Sequence, residues 1–140
     1  MLVMARQGGV TYLISEDGRH VTSFTTFFQT PCAIDGVPYR LTHEDKGRFW
    51  LEGPTGTAAF AYRTGRGEVL ASAPGHELYL RRTKRLPPRW ELHHGGQVLG
   101  TCRLSAFGAT SDLPAHLPMP LRVFLFYVVI MTDAGFILWF

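Results

Sequence analysis

A chain of 140 residues is the size of one ordinary domain, long enough to bury about two thirds of the surface its unfolded form exposes. Charged residues make up 18% with a net charge of +3, which excludes the dense Lys/Arg content of a dedicated nucleic-acid binder and leaves a mildly basic domain suited to anionic partners. Cys32 and Cys102 are the two cysteines, and Met1 to Val10, weakly apolar and interrupted by Arg6 and Gln7, does not resemble a secretory leader. Together these predict reduced thiols in a cytoplasmic protein, with Cys102 buried in a strand and Cys32 left open.

Aromatic residues at 13%, with fifteen Gly and nine Pro spread along the chain, predict β structure with many turns. Three hairpins follow one another in similar form. Tyr12-Leu13-Ile14 turns at Glu16-Asp17-Gly18-Arg19 and returns through Val21 to Phe24; Phe49-Trp50-Leu51 turns at Gly53-Pro54-Thr55-Gly56 and returns through Ala58 to Tyr62. Trp90-Glu91-Leu92 turns at His93-His94-Gly95-Gly96 and returns through Val98 to Leu104. Each turn carries the Gly that a positive φ demands. Tyr12, Trp50 and Trp90 recur about 40 residues apart, a spacing compatible with repeated supersecondary units. Val37 to Thr42, Glu68 to Ser72 and Glu77 to Arg82 supply further strands, and Ala106 to Pro120 reads as a loop. Roughly ten strands with no amphipathic helix before residue 105 imply a closed or stacked sheet, since that is how a long meander manages its edges.

The pattern changes at Leu121-Arg122-Val123-Phe124-Leu125-Phe126-Tyr127-Val128-Val129-Ile130-Met131. A helix over about 121–133, opened by Pro120 and stopped by Gly135, is apolar on every side and must be surrounded by protein or lipid. Thirteen residues span about 20 Å, short of the roughly 30 Å of a bilayer core. Extension to Phe140 reaches that length but puts Gly135 inside the helix and the Asp133 carboxylate inside hydrocarbon, at a cost of about 2.5 to 3.5 kcal/mol. Insertion is therefore disfavoured, and Phe136 to Phe140 reads as a final strand. The expected architecture is mainly β, a single 1–140 domain in which an antiparallel barrel of hairpins wraps around a buried hydrophobic C-terminal helix.

That arrangement, carried by Leu117-Pro118-Met119-Pro120 running into the helix and by Arg89-Trp90-Glu91-Leu92 with Gly95-Gly96-Gln97-Val98-Leu99-Gly100, resembles the tubby C-terminal superfamily. This superfamily includes the LURP-one-related proteins and phospholipid scramblases. The resemblance implies a barrel with a central helix; family members build twelve strands in a longer chain, so about ten strands here imply one lost or shortened. It does not imply scramblase activity. Where scramblases carry an acidic calcium-binding segment, Phe107 to Leu121 holds only Asp112, and their Pro-rich and Cys-rich acylated regions have no counterpart.

The densest basic feature is Arg81-Arg82-Thr83-Lys84-Arg85 followed by Arg89, flanked by Tyr79, Leu80 and Trp90. Arg81, Arg82, Lys84, Arg85 and Arg89 are the candidate ligand-binding residues, because clustered cations beside aromatics hold anionic headgroups at about 1 kcal/mol per charge. The same residues on a strand end also block edge-to-edge aggregation. The six histidines show no metal-ligand spacing; His93 and His94 are adjacent and point to opposite faces of a strand, and neither His43-Glu44-Asp45 nor the isolated His20, His76 and His116 has the spacing of a zinc site. Glu16-Asp17 and Glu44-Asp45 sit in turn-like contexts, Gly65-Arg66-Gly67 lacks the third glycine of a dinucleotide site, and no nucleophile elbow occurs. No enzyme active site, metal or cofactor is expected. The leading expectation is a non-catalytic domain, cytoplasmic and peripheral to membranes, that binds an anionic phospholipid or membrane surface from the outside of the barrel. A protein-interaction or homo-oligomeric assembly module, or a tail-anchored protein with Arg122 to Phe140 in the bilayer, are the alternatives.

Overall fold

The fold is that of a computed structural model, which describes residues 1–44 and 47–133. Twelve strands precede one helix. They are β1 (Leu2–Gln7), β2 (Thr11–Glu16), β3 (Arg19–Thr25), β4 (Gln29–Ile34), β5 (Val37–Glu44), β6 (Arg48–Gly53), β7 (Gly56–Gly65), β8 (Glu68–Ala73), β9 (His76–Arg85), β10 (Pro88–His94), β11 (Gln97–Ser105) and β12 (Gly108–Asp112), followed by α1 (Met119–Thr132). One antiparallel sheet runs β3-β2-β1-β12-β11-β10-β9-β8-β7-β6-β5-β4. It curls into a nearly closed barrel whose two outer strands, β3 and β4, face each other.

The strands obey period-2 burial, so each contributes one row inward. Tyr12 and Ile14 of β2, Leu78 and Leu80 of β9, and Trp90 and Leu92 of β10 are buried, and their neighbours point out. Trp50 breaks the apparent repeat. It lies one residue out of phase with Tyr12 and Trp90, because Phe49 and Leu51 take the inner positions, and its ring packs outside against Phe60, tilted by 47° with centroids 5.5 Å apart.

Twelve strands precede the helix where the sequence outlines nine of the expected ten or so, because β1, β4 and β12 are hard to see in sequence. In β1 only Leu2 and Met4 point inward, and Arg6 and Gln7 mask the alternation. In β4, Pro31 interrupts the apolar pattern, but β4 is an outer strand and Pro31 is opposite Arg40 at a non-hydrogen-bonded position, so its missing N–H faces away from β5 and costs no bond to it. Thr30, Cys32 and Ile34 alternate inward beside it. β12 falls inside the stretch read as a loop; its inward residues, Ala109 and Ser111, are small, and Gly108 lies so close to the Met4 carbonyl that a Cβ would collide with it.

The β3/β4 seam is bridged by side chains. Thr22 Oγ1 and Cys32 Sγ are 3.0 Å apart, and the Thr25 N–H donates to Thr30 Oγ1 at 3.0 Å. This uses groups on strands that would otherwise present an open edge. Both cysteines are free and buried, Cys102 beside Ser111 Oγ at 3.4 Å. Burial pushes the Cys102 thiol up to about 12 and raises that of Cys32.

The helix is buried from Leu121 to Ile130 except at Arg122, on every face, within the same apolar cluster as the inner strand residues. It begins at Met119, two residues before the expected start, so Pro120 lies within its first turn, where the absent N–H has no partner to lose. Among the described residues no helix is long and apolar enough to cross a membrane. The predicted strand at Phe136 to Phe140 and the stop at Gly135 lie outside the described residues.

Candidate functional site

The barrel has two unlike ends. Because neighbouring strands are antiparallel, the hairpins β2–β3, β4–β5, β6–β7, β8–β9 and β10–β11 turn at one end, together with the start of α1. The hairpins β1–β2, β7–β8, β9–β10 and β11–β12, the β3–β4 connection and the end of α1 lie at the other. The first end carries Asp17, Asp35, Glu52, Glu77 and Asp112; the second carries Arg6, Arg63, Arg66, Lys84, Arg85, Arg89 and Arg103. Arg19 and Arg40 also lie at the first end and Glu44, Glu68 and Asp133 at the second, so charge is biased along the barrel axis, with cations in excess at the second end.

Strand alternation divides the predicted cluster. Arg82 continues the inner row of Leu78 and Leu80 to the mouth of the barrel, where Arg82 Nη1 donates to Asp133 Oδ1 at 2.7 Å. Its guanidinium lies 5.7 Å from the Trp90 ring centre, and Trp90 Nε1 donates to Asp133 Oδ2 at 2.5 Å. Arg82 therefore ties the end of α1 to the barrel wall. Arg122 does the same at the opposite end, donating to Glu16 Oε2 at 3.0 Å and to the Leu117 carbonyl at 3.1 Å. These two clamps, with the Tyr127 hydroxyl beside His43 on β5, fix the depth and rotation of an otherwise apolar helix.

Arg81 points outward, but its register partners are Glu68 on β8 and Glu91 on β10. Its charge is offset by neighbours of opposite sign. Lys84 and Arg89 are different. A bulge before Trp90 sets Lys84 opposite Arg89, and Arg89 is also opposite Arg103 on β11. Three cations thus stand side by side across β9, β10 and β11, with exposed Arg85 at the adjoining turn. The Arg89 Nε is buried and has no hydrogen-bond partner among the described residues.

Arg103 has no counterpart in the predicted set because it is fourteen residues from Arg89 in the chain, and only the β10/β11 register brings it alongside. Its signal in the sequence was an outward position two residues before the end of a strand, flanked by buried Cys102 and Leu104.

The histidines fall to separate places. His93 Nε2 lies 3.3 Å from Glu91 Oε1 on the outer wall, whereas His94 Nδ1 lies 3.0 Å from the Glu77 carbonyl. His43 Nδ1 is 2.6 Å from Tyr127 Oη at the mouth of the barrel, with the Phe28 ring 5.1 Å from the imidazole. Burial raises the Tyr127 phenol, so it remains protonated over the physiological range. Among the described residues no three His, Cys, Asp or Glu side chains converge as metal ligands do. A groove of about 420 Å³ lies on the outer wall between β7 and β10, lined by Tyr62, Leu70, Glu77, Tyr79 and His93. It shares β9 and β10 with the cationic row, His93 lying four residues along β10 from Arg89 toward the other end.

Compared with known proteins, the chain matches no family model, no curated protein and no solved structure.

Proposed function

We propose that the protein is a non-catalytic, cytoplasmic barrel of the tubby-like type that binds anionic phospholipid at a membrane surface through its cationic end. The observation that carries this reading is the row Lys84, Arg89 and Arg103, three like charges in register on adjacent strands. Like charges directly opposite one another destabilise a sheet, so such a row is favourable only where an anion offsets the repulsion. Arg85 adds a fourth exposed charge at the same end. Near an anionic leaflet each contributes about 1 kcal/mol, which makes the four together equivalent to a several-hundredfold preference over a neutral surface. Twelve antiparallel strands around an apolar helix support the tubby-like comparison.

The test is co-sedimentation with phosphatidylcholine vesicles carrying phosphatidylserine at about three in ten lipids. Replacing Lys84, Arg85, Arg89 and Arg103 together by Ser should lower binding by about a hundredfold or more and flatten its dependence on salt. Unchanged binding of that variant would sink the reading. Replacing Arg81 alone should leave binding nearly intact, because Glu68 and Glu91 already flank it.

A further inference from the structure

The cationic end carries a second feature that its charges do not explain. Phe107 is 93% exposed, Leu86 70%, Phe27 60% and Phe28 57%, and all four sit at loop tips on this end, together with Val10 at 39%. Loop tips need no large apolar side chain to turn: the opposite end uses Asp17-Gly18, Asp35-Gly36 and Gly95-Gly96 for the same purpose. Scattered exposed apolar residues are ordinary, but four at the tips of three loops beside a row of like-charged cations form a surface with a definite complement.

We infer that the barrel docks end-on to an anionic bilayer, with Phe107, Leu86, Phe27 and Phe28 inserted at the headgroup–acyl boundary while Lys84, Arg85, Arg89 and Arg103 contact the headgroups. This rests on the proposed anionic-membrane reading and names its geometry and its partner, a bilayer as opposed to a soluble polyanion. The charge decides between occupants. A second copy presenting the same end would bring cation against cation, whereas an anionic leaflet offers negative headgroups above an apolar layer, the order in which this end displays its complement. Shallow insertion of aromatic and aliphatic side chains combined with electrostatic attraction is how interfacial segments hold a membrane.

The experiment uses the full chain with Phe107→Cys, labelled with an environment-sensitive fluorophore, and Thr55→Cys at the opposite end as control. Buried Cys32 and Cys102 leave the introduced thiol as the reactive one among the described residues. With phosphatidylserine-containing vesicles, the label at 107 should shift to the blue and be quenched by lipids carrying a nitroxide high on the acyl chain, and the label at 55 should do neither. Phe107→Ser combined with Leu86→Ser should lower vesicle binding about tenfold or more while retention on a heparin column stays unchanged. If the protein binds vesicles but the label at 107 remains in water, insertion is wrong and electrostatic binding stands. If vesicles are not bound at all, the underlying reading fails and this inference with it. A blue shift that appears without vesicles and grows with protein concentration assigns the tips to a second copy and overturns the inference.

Discussion

The two ends of the barrel are built from the same hairpins yet solve different problems. At the acidic end the turns are short and polar, and Asp17 and Asp35 adopt positive φ ahead of Gly18 and Gly36, the two-residue turn that matches the twist of paired strands. At the basic end the connections expose Phe27, Phe28, Leu86 and Phe107 and gather Lys84, Arg89 and Arg103. Turn geometry accounts for the loop tips of the first end, where the exposed apolar residues are Met1, Val37 and Val98 at strand starts, and only in part for the aromatic and leucine tips of the second. What turning does not require is the place to look for function, whereas the apolar helix shared by both ends reports stability.

That shared core sets the largest expected effect. Val128→Asp puts an unpaired carboxylate into a fully buried site, and should cost on the order of 5 kcal/mol, enough to unfold a domain of ordinary stability. Circular dichroism and a thermal melt would show both ends lost together. A soluble, cooperatively folded Val128→Asp variant would mean the helix is not enclosed by the barrel.

The clamps come next and differ between ends. Asp133→Ala strands the partly buried Arg82 charge and the Trp90 N–H, and should cost about 2 to 3 kcal/mol in urea unfolding. Glu16→Ala should cost about 1 kcal/mol or less, since the Glu16 side chain is 29% exposed and water can replace it. Equal costs would contradict the asymmetry.

Alkaline pH gives a sharper reading of the interior. Cys102 has its pKa raised in the folded state, and Cys32 and Tyr127 shift in the same direction through burial. The folded state therefore holds protons that the unfolded chain releases, so this contribution is complete below about pH 8.5 and is lost as pH rises toward about 12. Stability should fall by up to about 1.4 kcal/mol per pH unit for each such thiol, and Cys102→Ala should lessen the slope. A slope unaltered by that substitution would place the titrating groups elsewhere.

The smallest effects belong to the tips. Gly18→Ala forces a side chain into φ 79° and should cost about 1 kcal/mol, although the space around it is open. Phe107→Ser should change stability by less than about 0.5 kcal/mol, because a residue exposed at a loop tip has no packing to lose. A large loss on Phe107→Ser would make that ring structural.

Much of the fold was legible because its signals are local. Tyr12-Leu13-Ile14 with Asp17-Gly18, the all-apolar run from Val123 to Ile130 and the short reach of its helix point to a plugged barrel without any long-range information. The three strands that escaped carry weak local signals: β4 contains Pro31, β12 turns small residues inward, and β1 shows only two buried positions. The site was legible only in outline. The run from Arg81 to Arg85 announces charge, but which of its residues face water depends on alternation, on a bulge at Arg89/Trp90 and on the acidic neighbours of Arg81, none of which is local. Arg82 looks like a ligand-binding cation in the sequence and holds Asp133 in the fold. Arg103 enters the row only through strand register.

Hydrogen–deuterium exchange of the full chain with and without phosphatidylserine vesicles tests the difference between the ends most directly. With vesicles, exchange should slow at the connections 26–28, 85–88 and 105–108 and stay unchanged at 17–18, 35–36 and 95–96. Protection confined to the acidic end or to the wall groove between β7 and β10, or no protection anywhere, would contradict it.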